Sequence, residues 1–202
     1  MTLPITRDQA YSAAKWIKQN FGDKVAVATS GTPFDSDLLC GIACQETAYF
    51  WLSFIDKLST DEVVARCVLD ASGDYPGTRR SAFPVNTAAF VEMYGQEKAD
   101  LLIAEANATR AIRGFGAASW VYKGYGLYQY DLQYVQDDPD FFFEKKWYDF
   151  DECLVRVVGE LSEKYGESED LWTTVKAYNG SGSAATEYAN NVMQYRQYCS
   201  EV

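Results

Sequence analysis

The sequence predicts a mainly α-helical fold with at most a small β element. Apolar residues recur at three- and four-residue intervals over several segments, and many of these segments follow residues that commonly cap helices. No segment of any length alternates apolar and polar residues as a half-buried strand does. Since 202 residues can bury a proper core, we interpret residues 1–202 as a single domain.

The first predicted helix begins after Thr6, which forms a capping-box pattern with Gln9. Apolar residues continue at helical spacing as far as Phe21, and Gly22 is expected to end the helix. Residues 25–29 are rich in valine and could form a short strand.

Residues 37–51 are apolar almost all round, which predicts a buried central helix. Glu46 interrupts this run, and a glutamate in such surroundings is unfavourable unless it is protonated, paired or facing a cleft. Desolvation raises the pKa of a carboxyl group, so Glu46 is a candidate general acid. The alternative is a buried glutamate that an arginine or backbone amides satisfy.

The remaining segments also favour helices. Residues 59–62 have capping-box form and predict a helix through Ala71, followed by an irregular stretch at 72–86. Pro139 fits the first position of a short helix. The other predicted helices cover residues 97–113, 150–165, 168–178 and 185–193.

Composition excludes several function classes. The chain has no histidine, which removes Ser-His-Asp and Cys-His catalysis and His-ligated zinc. We expect no metal and no cofactor. Glycoside cleavage needs only carboxyl groups, so it remains open. A net charge of −11 argues against nucleic acid as a partner, and it is unusual for an enzyme that attacks anionic envelopes from outside.

Five cysteines without paired spacing predict buried, reduced thiols rather than disulfides. Residues 1–20 show no signal-peptide core, and no window has the length of a membrane-spanning helix. We therefore expect synthesis in the cytoplasm, with delivery to the cell envelope or beyond it by another route.

Four ordered motifs carry a family resemblance. After Glu46, the sequence reads Gly-Leu-Tyr-Gln-Tyr-Asp at 126–131, Ala-Tyr-Asn-Gly-Ser-Gly at 177–182, and Tyr-Ala-Asn-Asn-Val at 188–192 followed by Tyr-Arg-Gln-Tyr. This series resembles the goose-type lysozymes and lytic transglycosylases, whose motifs are Gly-Leu-Met-Gln-Val-Asp, Ala-Tyr-Asn-x-Gly and Tyr-Ala-Asn-Asp-Val. The resemblance implies a lysozyme-like helical domain that cleaves peptidoglycan. Its departure is the spacing of 80 positions between Glu46 and Gly126, which implies an insertion over about 51–123.

The resemblance implies that Glu46 is the catalytic acid and that Asp131 is the second carboxyl group. Asp131 could equally cap a turn or the next helix, and Asp70 and Asp74 are further candidates that turns also use. If no second acid faces the substrate, its own N-acetyl group could assist and yield the 1,6-anhydro product of a lytic transglycosylase.

The resemblance implies substrate binding by Gly126, Tyr128, Gln129, Tyr178 and Asn179. Four of them have a structural alternative, and for Gly126 it is a sharp turn. Gln129 could close a loop with its amide, Tyr178 could belong to the core, and Asn179 could end a helix.

Arg79 and Arg80 could meet the carboxylates of muramyl or peptide groups, or lie in a solvated loop. The expected partner is peptidoglycan or a related N-acetylhexosamine polymer. Two alternatives remain open, a chitinase-like glycosidase and a catalytically silent lysozyme-fold protein that binds glycan or has a structural role.

Overall fold

The computed structural model describes residues 3–202 and confirms a mainly α-helical fold with one small sheet. The three strands have two residues each. In chain order the elements are α1 (Arg7–Thr29), α2 (Ser36–Glu46), α3 (Ala48–Trp51), α4 (Thr60–Ala65), β1 (Val68–Leu69), α5 (Thr87–Tyr94), α6 (Gln96–Ile112), β2 (Gly124–Tyr125), β3 (Tyr130–Asp131), a 3₁₀ helix (Leu132–Gln136), α7 (Pro139–Phe143), a second 3₁₀ helix (Lys146–Tyr148), α8 (Phe150–Ser168), α9 (Leu171–Asn179) and α10 (Gly182–Cys199).

The chain forms two compact units. The terminal unit contains the described residues up to Thr60 together with Leu154–Val202, and the middle unit contains Asp61–Cys153. Helix α8 crosses the boundary between them. The interpretation of residues 1–202 as one domain stays a prediction.

Helix α1 begins as predicted, because the Thr6 side chain accepts a hydrogen bond from the Gln9 amide and the Gln9 side chain accepts one from the Thr6 amide. The predicted stop at Gly22 and the predicted strand at 25–29 are both wrong, since the helix continues to Thr29. Val25 and Thr29 extend the buried face of the helix. Their burial outweighs the cost of about 1 kcal/mol for an interior glycine.

The predicted central helix is two helices. Thr47 leaves helical geometry, with φ −137° and ψ −13°, so α2 ends at Glu46 and α3 begins at Ala48. The Thr47 hydroxyl oxygen accepts a 3.0 Å hydrogen bond from the Trp51 indole, which secures the break. The break places Glu46 at a helix end, where it and Gln45 are half-buried, while residues 38–44 of the same helix are buried.

Helix α2 packs mainly against α10 and also against α1. A Cβ atom at Gly41 would lie 2.9 Å from the Val192 carbonyl oxygen and 3.0 Å from the Arg196 nitrogen. Only glycine therefore permits this close approach of the two helices. The last three helices occur where the sequence predicts them, although α9 begins at Leu171 rather than at residue 168 and α10 extends beyond 185–193 at both ends. Asp170 caps α9 by accepting a 2.8 Å hydrogen bond from the Thr173 amide.

In the middle unit, α4 ends at Ala65, earlier than the predicted Ala71, and the chain enters β1. The three strands pair antiparallel in the order β1-β2-β3, with Leu69 opposite Gly124 and Tyr125 opposite Tyr130. Residues 72–86 contain no helix or strand, as predicted, whereas α5 was not predicted.

Aromatic side chains form much of the middle unit's core. The Tyr125 ring lies 4.8 Å from the Trp147 ring and 5.2 Å from the Phe142 ring, both edge to face. Helix α7 begins at Pro139, as predicted. These contacts seat the β2–β3 hairpin on buried rings.

All five cysteines are buried, as predicted, and unbridged. Among residues 3–202, no helix is both long enough and apolar enough to cross a bilayer.

Candidate functional site

Glu46 lies at the C-terminal end of α2, in the terminal unit. Its Oε1 atom accepts a 2.6 Å hydrogen bond from the hydroxyl group of Tyr188 on α10. Burial, and after it the nearby Glu46 carboxylate, raises the pKa of Tyr188 well above its ordinary value. The phenol therefore keeps its proton and acts as a donor to Glu46.

Tyr178 of α9 lies beside Tyr188. Its ring centroid lies 6.4 Å from that of Tyr188, and its side chain is half-buried. Asn179 is the last residue of α9, exposed to solvent, and Gly180 follows with φ +120°. Glu46, Tyr188 and Tyr178 are called the Glu46 cluster below.

Helices α9 and α10 hold the two tyrosines of the Glu46 cluster in place. The Trp172 indole of α9 donates a 2.9 Å hydrogen bond to the Asn190 side chain of α10. This bond joins α9 to α10 close in sequence to Tyr188.

Gln129 lies in the turn of the β2–β3 hairpin, in the middle unit. Its side-chain nitrogen donates to the carbonyl oxygens of Cys67, at 3.1 Å, and Gly126, at 2.9 Å. Its backbone has φ +56°, which is uncommon for a residue with a side chain. The structure thus shows Gln129 closing a loop, and its contact with substrate stays a prediction.

Gly126 and Tyr128 shape the same hairpin. Gly126 has φ +76°, and a Cβ atom there would lie 2.5 Å from the Cys153 sulfur, so a close approach within the protein requires the glycine. Tyr128 is buried, with its ring 6.0 Å from that of Phe150. Their substrate-binding roles stay predictions.

Asp131 is held by Arg80 in a two-pronged ion pair. One guanidinium nitrogen donates to Oδ2 at 2.9 Å, and the other donates to Oδ1. The carboxylate also caps the following 3₁₀ helix by accepting a 2.7 Å hydrogen bond from the Gln133 amide. The predicted capping role is therefore present, and the Arg80 side chain is mostly buried rather than solvated.

The other two acidic candidates serve local structure. Both Asp74 oxygens accept hydrogen bonds from Thr87, and Asp74 also pairs with buried Lys123 at 3.4 Å. Asp70 accepts a 2.8 Å hydrogen bond from the Ser72 amide, which closes a turn.

Glu105 of α6 is a buried acid that the sequence did not single out. It accepts hydrogen bonds from Lys145 at 2.5 Å, Tyr148 at 2.6 Å and Arg66 at 2.7 Å. Burial alone would raise the pKa of Glu105, but these three donors outweigh it and hold the pKa below its ordinary value. Glu105 is thus suited to remain ionised, not to donate a proton.

The predicted site residues divide between the two units. Glu46, Tyr178 and Asn179 belong to the terminal unit, and Gly126, Tyr128, Gln129 and Asp131 belong to one hairpin of the middle unit.

Sequence reasoning assigned no role to Tyr188, although the motif at 188–192 begins with it. In the described part of the chain, no group of three or more Cys, Asp or Glu side chains could hold a metal ion.

The chain matches no protein-family model, no curated protein and no solved structure.

Proposed function

We propose that the chain cleaves the glycan strands of peptidoglycan, with Glu46 as the general acid. The observation that carries the proposal is the setting of Glu46, a half-buried carboxyl group at the end of an apolar helix with a tyrosine donor 2.6 Å from Oε1. Glycoside cleavage requires a proton donor for the leaving oxygen.

The hydrogen bond from Tyr188 suits this chemistry. In the proposed reaction Glu46 starts as a neutral carboxyl group with its proton on Oε2, because Oε1 accepts the phenol hydrogen. When that proton passes to the glycosidic oxygen, Glu46 becomes a carboxylate and its bond with Tyr188 becomes charge-assisted. Such bonds are stronger than neutral ones, so Tyr188 favours the transfer.

The ion pair of Asp131 with Arg80 bears on the second step. A carboxylate engaged by a guanidinium fork and by a backbone amide is poorly suited to act as a nucleophile or base. This favours a reaction in which the N-acetyl oxygen of the substrate bonds to the anomeric carbon as the leaving oxygen takes the Glu46 proton. The C6 hydroxyl of the same sugar then displaces the N-acetyl oxygen and gives its proton to the Glu46 carboxylate, which leaves a 1,6-anhydro sugar. The proposed activity is therefore that of a lytic transglycosylase rather than a hydrolase.

The test compares the wild-type chain with Glu46→Gln on purified peptidoglycan, with released fragments identified by mass spectrometry. Glu167→Gln, at an exposed glutamate of α8, is the matched control. We expect Glu46→Gln to lower fragment release by about 100-fold or more, and Glu167→Gln to leave it unchanged. Anhydro fragments support attack by the C6 hydroxyl of the substrate, whereas hydrated fragments show that water completes the reaction and the chain is a hydrolase.

Full activity of Glu46→Gln would show that the site is elsewhere. The same assay with chitin tests the neutral polymer as substrate.

The pairing of Asp131 also favours a second candidate function, a catalytically silent lysozyme-fold protein that binds glycan or has a structural role. Binding without fragment release from either polymer would support that candidate.

A further inference from the structure

The middle unit has a group of exposed and half-buried aromatic and arginine side chains from the end of α6, the loop after α6 and the loop before α5. It consists of Tyr75, Phe115, Trp120, Arg110 and Arg113, called the aromatic–arginine surface below. Tyr75 is 57% exposed and Phe115 is 50% exposed. Large exposed rings that lie together mark a binding surface more often than single exposed rings do.

The rings and guanidinium groups contact one another. The rings of Tyr75 and Trp120 are 6.1 Å apart at 77°, which forms a corner. The Arg110 guanidinium carbon lies 5.2 Å from the Trp120 ring centroid and 5.7 Å from that of Phe115. The Arg113 guanidinium lies 5.0 Å from the Phe115 ring. The surface is therefore continuous.

Hydrogen bonds hold the loop that carries Phe115 and Trp120. Asn107 of α6 donates to the Ala118 carbonyl at 3.0 Å and accepts from the Ala118 amide at 2.8 Å. Arg110 donates to the Gly116 carbonyl at 2.7 Å and to the Tyr122 hydroxyl at 3.0 Å. Binding to this surface loses little conformational entropy because the loop is already ordered.

The segment that carries four of the five residues is basic, whereas the whole chain is acidic. Residues 110–120 contain two arginines and no acidic residue, although the chain has 29 acidic residues and a net charge of −11. An arginine fork binds carboxylates in a bidentate geometry, so the surface complements an anionic ligand.

We propose that the aromatic–arginine surface binds a polysaccharide strand that carries carboxylates, with Tyr75 and Phe115 stacking on sugar faces and Arg113 pairing with a carboxylate. The choice of a sugar strand rests on the proposed function. The carboxylate requirement goes beyond that function, because it distinguishes peptidoglycan from neutral chitin.

The experiment measures binding of the full chain in a Glu46→Gln background, so that cleavage does not consume the probe. The probes are peptide-free peptidoglycan glycan strands with free lactyl carboxylates, and neutral chito-oligosaccharides of matched length. Phe115→Ala and Arg113→Ala remove one ring and one charge. Met93→Ala, 59% exposed on α5, and Lys98→Ala, exposed on α6, are the matched controls.

We expect Phe115→Ala and Arg113→Ala each to weaken binding of the carboxylated strand by about fivefold to tenfold, and the controls to leave it unchanged. Arg113→Lys keeps the charge but not the fork, so its affinity should lie between those of the parent chain and Arg113→Ala. Circular dichroism of each variant checks that the helical fold is retained.

Several results would overturn the proposal. These are unchanged binding by both variants, equal affinity for the neutral oligosaccharide, a preference for single-stranded DNA, or no glycan binding by the parent chain. A different result would contradict the proposed function alone. A chain that releases no fragments but binds the strand through Phe115 and Arg113 would have this surface without the proposed activity. Conversely, Glu46-dependent cleavage with unchanged binding by both variants would contradict this surface alone.

Discussion

At the scale of single residues, the Tyr188 hydroxyl donates a 2.6 Å hydrogen bond to Glu46. Tyr188→Phe removes the donor and keeps the ring. The carboxylate that forms when Glu46 gives up its proton then lacks a charge-assisted bond. We expect the maximal rate of fragment release to fall by about tenfold, measured at saturating peptidoglycan.

Tyr195→Phe is the matched control for this change. Tyr195 is also a buried residue of α10, and its hydroxyl bonds with the backbone of Ile5 rather than with Glu46. Both substitutions should destabilise the chain by about 1–2 kcal/mol, but only Tyr188→Phe should lower the maximal rate of fragment release. An equal fall in both variants would show that stability, not the contact with Glu46, sets the rate.

Gly126 is a second residue whose identity the structure explains. Gly126→Ala would place a methyl group 2.5 Å from the Cys153 sulfur at a φ of +76°. We expect a loss of about 2–3 kcal/mol in the free energy of unfolding, measured by chemical denaturation. Cys153→Ala should recover part of this loss in the double variant, because it removes the clashing atom.

Gly22→Ala is the opposite case. Gly22 lies inside α1, and no neighbouring atom lies within 4 Å of the position that a Cβ atom would take there. Its replacement should therefore stabilise the chain by about 1 kcal/mol. Destabilisation by Gly22→Ala, or a neutral Gly126→Ala, would contradict these assignments.

At the scale of elements, polar contacts join helices α2 and α10 at both ends of α2. Asp35 caps α2 by accepting a 2.7 Å hydrogen bond from the Leu38 amide, and it pairs with Arg196 of α10 at 2.5 Å. At the other end Glu46 meets Tyr188. Between these two contacts, Gly41 lets the backbones of α2 and α10 approach closely. The position of Glu46 thus depends on how α2 packs against α10.

The capping role and the ion-pairing role of Asp35 can be separated. Asp35→Asn keeps a good cap and loses the charge. Because the ion pair is half-exposed, we expect the free energy of unfolding to fall by no more than about 1 kcal/mol. Asp35→Ala loses both and should cost about 1 kcal/mol more. Thermal or chemical unfolding of the two variants measures the difference. Equal losses would assign the whole effect to the ion pair and none to the cap.

Local sequence patterns were sufficient for some elements and not for others. The capping box at Thr6 and the proline at the start of α7 depend on neighbouring residues only, and both predictions are confirmed. The end of α1 depends on burial of Val25 and Thr29 against the rest of the terminal unit, so the local glycine signal was misleading. The break at Thr47 likewise involves a side-chain bond with Trp51.

The candidate site shows the same division. The position of Glu46 in an apolar helix could be predicted from the sequence, because the apolar run surrounds it locally. Its contact with Tyr188 joins residues 142 positions apart, and the pairing of Arg80 with Asp131 joins residues 51 positions apart. No local pattern encodes such long-range contacts.

At the scale of the whole molecule, the carboxyl groups of Asp35, Glu105 and Glu201 all have a pKa below the ordinary value. For Asp35 and Glu105, donor groups outweigh the opposing effect of burial. For Glu201, hydrogen bonds from Tyr11 and then Arg7 lower the pKa. When a carboxyl pKa is lower in the folded state, the unfolded state binds more protons in the acidic range. The stability that these three groups contribute is therefore fully present above their unfolded-state pKa of about 4. It is lost as the pH falls through their pKa values in the folded state.

Glu105 should contribute strongly to this acid sensitivity, because its side chain is only 8% exposed and three donors depend on it. At neutral pH, Glu105→Gln leaves Arg66 and Lys145 without their shared negative partner. We expect the free energy of unfolding to fall by about 3 kcal/mol. In strong acid the wild-type carboxyl group is also neutral, so the two unfolding free energies should converge. Chemical denaturation from about pH 7 to about pH 2.5 measures both curves, and curves that stay parallel would show that Glu105 does not govern the loss of stability in acid.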